Sequence, residues 1–136
     1  MAELEAGTSQ RARPLSPHLQ IYKPMLTMMM SIVHRITGAE LYFGALLLAW
    51  WLIAAASGPN AYASFEWFMS TLIGRVILFG YTWALMHHML GGIRHLIWDT
   101  VHGFELRSIY ISGWSVVAAS MVLTVVAWLA SLLVAG

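Results

Sequence analysis

No cysteine occurs anywhere in the 136 residues. That absence removes disulfides, thiolate metal sites, iron–sulfur clusters and a thioether-linked haem from the chain's own chemistry. Any metal or redox group has to be held by histidine or borrowed from another chain. Charge is scarce as well: Asp, Glu, Lys and Arg make up 10% of the residues and leave a net charge of +1, which is no footprint for a nucleic acid. A glycine-rich phosphate loop and a dinucleotide fingerprint are both missing, so nothing here is built to bind ATP, NAD or FAD. The first 24 residues lack the short apolar core and small-residue cleavage site of a signal peptide, so the first hydrophobic helix is expected to stay as an anchor.

What is abundant is hydrophobic side chain, 60% of the chain, with a mean hydropathy of +0.72. A water-soluble domain of that composition would have too little polar surface to cover itself. A hydrocarbon core about 30 Å thick takes roughly 20 helical residues per crossing, and three apolar runs of that length are present. The expected fold is therefore all-α and integral to the membrane: a polar segment 1–24, then a three-span anchor 25–136 with spans at about 30–56, 67–98 and 109–134. A Met-rich stretch from Met25 to Val33 leads through His34 and Arg35 into the apolar body of the first span, and Ser57, Gly58, Pro59 and Asn60 form the turn signal that stops it. Arg11, Arg13, Lys23 and Arg35 precede the first span, and Arg94 and Arg107 flank the link between the second and third, whereas the link from Ser57 to Thr71 has no basic residue. By the positive-inside rule the N-terminus is cytoplasmic and the C-terminus lies outside, in the periplasm of a bacterium. Trp67, Phe68, Trp98 and Tyr110 fit interfacial anchors.

The second span carries His87, His88 and His95, and polar residues inside a span are costly unless they face a partner or cofactor. At four-residue spacing Gly80, Ala84, His88 and Gly92 share a face, with His95 continuing it. Small residues around an imidazole leave a shallow groove, which suits a flat porphyrin whose iron takes a neutral histidine as axial ligand. The same pattern also serves close helix packing. His87 points about 100° away and is the second-ranked ligand. His88 lies about 15 Å along the helix from Asp99, deeper than His34 and His95, so a six-coordinate iron on it would need its second ligand from another polypeptide. His34, His95, Arg35 and Arg94 are then placed to meet haem propionates at the inner interface, with snorkelling as the alternative, chiefly for Arg94.

In the first span Ser31, His34 and Arg35 stand at i, i+3 and i+4. A quinone offers two carbonyl acceptors and takes up two electrons and two protons. Ser31 can donate to a carbonyl, Arg35 can stabilise developing negative charge, and His34 can relay a proton or contact haem. Leu26, Met28 and Ile32 are expected to line such a pocket. A basic helix end meeting anionic lipid explains the same spacing. Glu40 is expected to pair with Arg35 or another basic group, and Arg75 to snorkel at the outer end of the second span.

RPLSPHLQIYKP (Arg13 to Pro24), SIVHRITG (Ser31 to Gly38) and HHMLGGIRHLIWD (His87 to Asp99), in that order and spacing, closely resemble the large cytochrome b anchor subunits of succinate dehydrogenase, respiratory complex II. The resemblance runs from about residue 13 to the end. It implies haem b with His88 as an axial ligand, a quinone site at Ser31 and Arg35, and His34 and His95 near the haem propionates. It also implies an assembly in which a flavoprotein oxidises succinate, an iron–sulfur subunit carries the electrons, and a smaller membrane anchor supplies the second histidine and packs with this chain into a helical bundle. Electrons would then reduce ubiquinone, and the segment 1–24 would contact the iron–sulfur subunit. The doubled His87-His88 departs from the family pattern, so the ligand assignment rests on register. The short N-terminus, without an Arg-rich presequence, favours a bacterial inner membrane over a mitochondrial one. A fumarate reductase anchor and a cofactor-free structural anchor are the rival readings. A small transporter subunit would call for broken helices or internal repeats, and the sequence has neither.

Overall fold

The computed structural model describes Ser16, His18 and residues 21–135; Arg11, Arg13, Pro14 and Pro17 lie outside the described residues. Four helices follow one another: α1 (Leu26–Ser57), α2 (Pro59–Ser70), α3 (Leu72–Asp99) and α4 (Leu106–Ala135). Among the described residues there is no strand, and α1, α3 and α4 are each long and apolar enough to cross a membrane. The all-helical, three-span expectation holds.

Helix boundaries follow from local chemistry. After Pro24, Met25 is extended (φ −79°, ψ 152°) and α1 starts at Leu26, so the Met-rich lead-in is itself helical. Gly58 ends it at φ 107°, a conformation that costs glycine little, and Pro59 opens α2 at its first position, where the missing N–H goes unused. The expected second span from residue 67 is interrupted: Thr71 is extended, and its hydroxyl accepts from the Gly74 N–H at 3.1 Å, an N-cap that starts a new helix. A Cβ on Gly74 would collide with the Phe68 carbonyl oxygen, so only glycine lets α3 leave α2 this tightly. At 12 residues α2 is about 18 Å long, too short to cross. It rests on α1 through Trp50, whose ring meets Phe65 at 5.0 Å and Phe68 at 5.3 Å.

Helix contacts are made by small and hydroxyl residues, and bulky apolar side chains face outward. Ala84, Thr37, Ser120 and Thr124 are almost fully buried, while Leu46, Ile53, Val76 and Leu129 are more than half exposed. This is the packing that lipid permits, because small residues let backbones approach and apolar bulk meets tails of equal polarity. The buried hydroxyls are satisfied locally, Thr124 donating to the Ser120 carbonyl at 2.8 Å and Ser120 to that of Val117 at 2.9 Å. Arg94 ties α3 to α4. It is 7% exposed, with Nε donating to Ser112 Oγ and a terminal nitrogen donating to the Ile109 carbonyl, both at 2.9 Å, and its guanidinium lies 4.1 Å from the Trp98 ring centre. Arg94 therefore neither snorkels nor stands free for a propionate, because the short α3–α4 link brings the first turns of α4 within its reach.

Candidate functional site

Three histidines converge where α1 crosses α3. The His34 and His88 rings stack at 4.0 Å with 18° between their planes, and His95 meets the edge of His34 at 5.2 Å. Reciprocal notches allow the stack. A Cβ on Gly38 of α1 would lie 3.0 Å from His88 Cε1, and a Cβ on Gly91 of α3 would lie 2.5 Å from His34 Cδ2. The glycine that makes room for His88 is thus on the facing helix. Of the stripe expected on α3, Ala84 is closed off at 0% exposure, Gly80 faces the Glu40 carboxylate, and Gly92 opens onto empty space.

His88 Nδ1 sits 3.1 Å from the His34 backbone carbonyl. A carbonyl oxygen only accepts, so Nδ1 carries the hydrogen and Nε2 keeps the lone pair. Thr37 Oγ1 donates to the same carbonyl at 3.0 Å and lies 3.3 Å from Nδ1. This is the arrangement that orients metal-ligating imidazoles, in which one ring nitrogen is fixed by an acceptor and the other is left for the metal. Thr37 and Gly38 lie inside the SIVHRITG motif, yet nothing in their types or spacing marks them as His88's partners before the crossing is known.

The difference in depth expected between His34 and His88 is not found. Because α1 starts at Leu26, His34 lies about 12 Å into the helix, level with His88. It still cannot serve as the opposite ligand of an iron held by His88, since the two rings present faces to each other.

Beside the stack, Thr27, Met30, Ser31, His34, His87, Gly91, Arg94, His95 and Trp98 line a cavity of about 200 Å³. His34 Nε2 and His87 Nδ1 are both buried there without a hydrogen-bond partner. His87 is 1% exposed, its ring 5.3 Å from that of Trp83, so a flat macrocycle has no approach to it, whereas His88 is only half-buried. Ser31 reaches this cavity, but Arg35 is exposed on the outside of α1 and does not line it. The apolar residues expected around a quinone disperse: Leu26 packs against Gly113 of α4 and Ile32 is exposed. Glu40 and Arg35 do not meet, because residues five apart on a helix point about 140° from each other.

A family model described as the succinate dehydrogenase/fumarate reductase transmembrane subunit matches residues 9–127. The chain belongs to that family. It is 42% identical over 125 residues to the succinate dehydrogenase cytochrome b556 subunit of Paracoccus denitrificans, covering 92% of this chain and 93% of that one. The subunit of the same name from Rickettsia felis is 40% identical over 116 residues, 85% of this chain and 90% of its own length. The mitochondrial cytochrome b560 subunit of Mus musculus is 36% identical over 114 residues, 80% of this chain and 66% of the mouse protein. Family members anchor an oxidoreductase in the membrane, and the three long apolar helices here match that role.

Proposed function

We propose that this chain is the cytochrome b membrane anchor of a succinate:quinone oxidoreductase, holding haem b on His88 and contributing Ser31 and Arg35 to the site where ubiquinone is reduced. The observation that carries the haem reading is the fixed tautomer of His88: Nδ1–H is committed to the His34 carbonyl, and Nε2 is left with its lone pair beside the notch at Gly38. The residues present therefore fit the group, which when bound supplies one-electron redox chemistry at the bundle centre. Were the iron to take a second histidine, a smaller anchor subunit would supply it, because His34 turns the face of its ring to His88. His34 within the stack, His95 at its edge, and Arg35 are the groups that would meet the propionates.

Ser31 donates a hydrogen bond to a quinone carbonyl from the rim of the cavity, and Arg35, one turn on and exposed, favours the negative charge that develops there. Polar partners on neighbouring subunits complete the site. The flavoprotein and iron–sulfur subunits deliver the electrons, the latter contacting segment 1–24. That segment and the α3–α4 link face the cytoplasm at a bacterial inner membrane, a reading that the positive-inside distribution of Lys and Arg and the bacterial relatives support. A fumarate reductase anchor would share this architecture, and the direction of electron flow is what separates the two readings.

The test uses the complex purified in mild detergent. His88→Ala should abolish or grossly alter the reduced-minus-oxidised b-type spectrum while the subunits still co-purify, and native haem ligation in that variant would remove the assignment. Arg35→Ala should lower quinone reduction at least about tenfold, the loss of one hydrogen bond to a charged group, and leave succinate oxidation by a soluble artificial acceptor intact. Equal loss of both activities would count against the quinone role.

A further inference from the structure

His87 takes no part in holding haem or quinone, yet among the described residues it is the largest fully buried side chain, at 1% exposure. Its Nδ1 meets no hydrogen-bond partner among those residues, a costly condition for a polar atom inside a membrane-spanning helix. The ring lines the cavity of about 200 Å³ beside the histidine stack. Met30, His87, Gly91 and Arg94 are its buried lining residues, and Ser31 and His95 are exposed ones, so the cavity runs from an open mouth to a closed end. His34 Nε2 is buried in the same wall and is equally without a partner. Arg94 does not meet either ring, because its Nε and one terminal nitrogen are turned to α4, donating to Ser112 and to the Ile109 carbonyl.

We infer that ordered water occupies the closed end of this cavity, hydrogen-bonded to His87 Nδ1 and linking it to His34 Nε2 and to the Ser31 hydroxyl. The space takes several waters, each of about 30 Å³ in the liquid, and the wall offers three polar atoms, about the number a buried water uses. Water both donates and accepts, so it satisfies Nδ1 whichever ring nitrogen of His87 carries the hydrogen. A lipid or quinone tail can do neither. Ser31 and His34 are three residues apart, about 4.5 Å along α1, a gap that a short run of waters bridges. A second consequence rests on the quinone reading of Ser31. A hydroxyl has one hydrogen and two lone pairs, so Ser31 accepts from this water while its own hydrogen points to the quinone carbonyl. His87 is then a positioning residue: it holds the water that turns the serine hydroxyl outward, and it does not touch quinone.

Electron cryo-microscopy of the whole complex, at a resolution that shows ordered water, tests the site directly. The expected result is a solvent peak about 2.7–3.2 Å from His87 Nδ1, within hydrogen-bond range. It should persist near the replaced side chain in His87→Gln, which offers a donor and an acceptor, and be lost in His87→Leu. In steady-state assays of the same complexes with a short-chain ubiquinone analogue, KM should rise about fivefold in His87→Leu, the worth of one hydrogen bond, with kcat little changed, and return toward the parent value in His87→Gln. A dry cavity, or a partner side chain, haem propionate or quinone carbonyl bonded to Nδ1 in place of water, would overturn the site. Water in place with KM unchanged in His87→Leu would overturn the link to Ser31. The map of the unaltered complex reads the water whether or not quinone is reduced at Ser31, so its failure is distinct from failure of the Arg35→Ala and His88→Ala tests.

Discussion

At the residue scale the His88 imidazole is held by contacts that a single methyl group can disturb. A side chain at position 38 has to share space with His88 Cε1, only 3.0 Å from an ideal Cβ, and overpacking of that kind typically costs about 1–3 kcal/mol. Gly38→Val should therefore reduce haem content in the purified complex by roughly five- to a hundredfold at limiting haem, the equivalent of that penalty. Pyridine haemochrome assay against protein mass measures it, and full occupancy would mean that the ring is not seated against Gly38. The motif makes His88 legible as the ligand candidate, but the residues that orient it are not legible, because a crossing point between two antiparallel helices is a tertiary fact. The stripe along α3 picks out His88, but its small residues are not the ones that make room for the ring: Ala84 is buried in helix packing, and the glycine against the ring lies fifty residues away in sequence on α1.

At the scale of the element, the break between α2 and α3 depends on a side-chain cap and a glycine. Thr71 Oγ1 accepts from Gly74 N and donates to the Phe68 carbonyl at 2.6 Å, so Thr71→Ala removes a cap worth about 1 kcal/mol. Hydrogen exchange at the first turn of α3 should quicken about fivefold, by that magnitude, with little change at Gly91; unchanged exchange would show that packing alone sets the boundary. In the sequence, the hydrophobicity of residues 67–98 hides this break, since Thr and Gly are tolerated within apolar helices and only their spacing as cap and third helical residue marks a start. The outer turn at Gly58 and Pro59 is legible because glycine and proline break helices whatever surrounds them. Arg94 shows the opposite limit. Its position near a helix end reads as snorkelling, and the carbonyl of Ile109 that captures it belongs to a helix whose approach the sequence does not encode locally.

At the scale of the whole molecule, three crossings would put the two ends of the bundle on opposite faces of the membrane, and the proposed cytoplasmic N-terminus rests on the distribution of Lys and Arg. The absence of cysteine makes this directly measurable, because an introduced thiol is unique in the chain. Ser64→Cys on α2 should react with a membrane-impermeant maleimide in intact cells, and Thr100→Cys in the α3–α4 link only after permeabilisation. The reverse pattern would invert the orientation and put Ser31 and Arg35 on the far side from the soluble subunits. Span number and fold class are readable from hydropathy, since bilayer thickness fixes segment length. The exposed bulk of Leu46, Ile53 and Val76 is equally foreseeable, but a hydropathy profile does not separate surface meeting lipid from surface meeting another subunit.

The backbone oxygen of His34 accepts from Thr37 and from an imidazole on another helix, and it also occupies the position that closes the α1 turn onto Gly38. One atom thus joins the winding of the first helix to the tilt of a ring on the third, and Ser31 and Arg35 stand within a turn of it. Any unwinding that a bound molecule imposes on that end of α1 has to rotate the ring as well, so strain at the rim and the attitude of the imidazole form one mechanical variable.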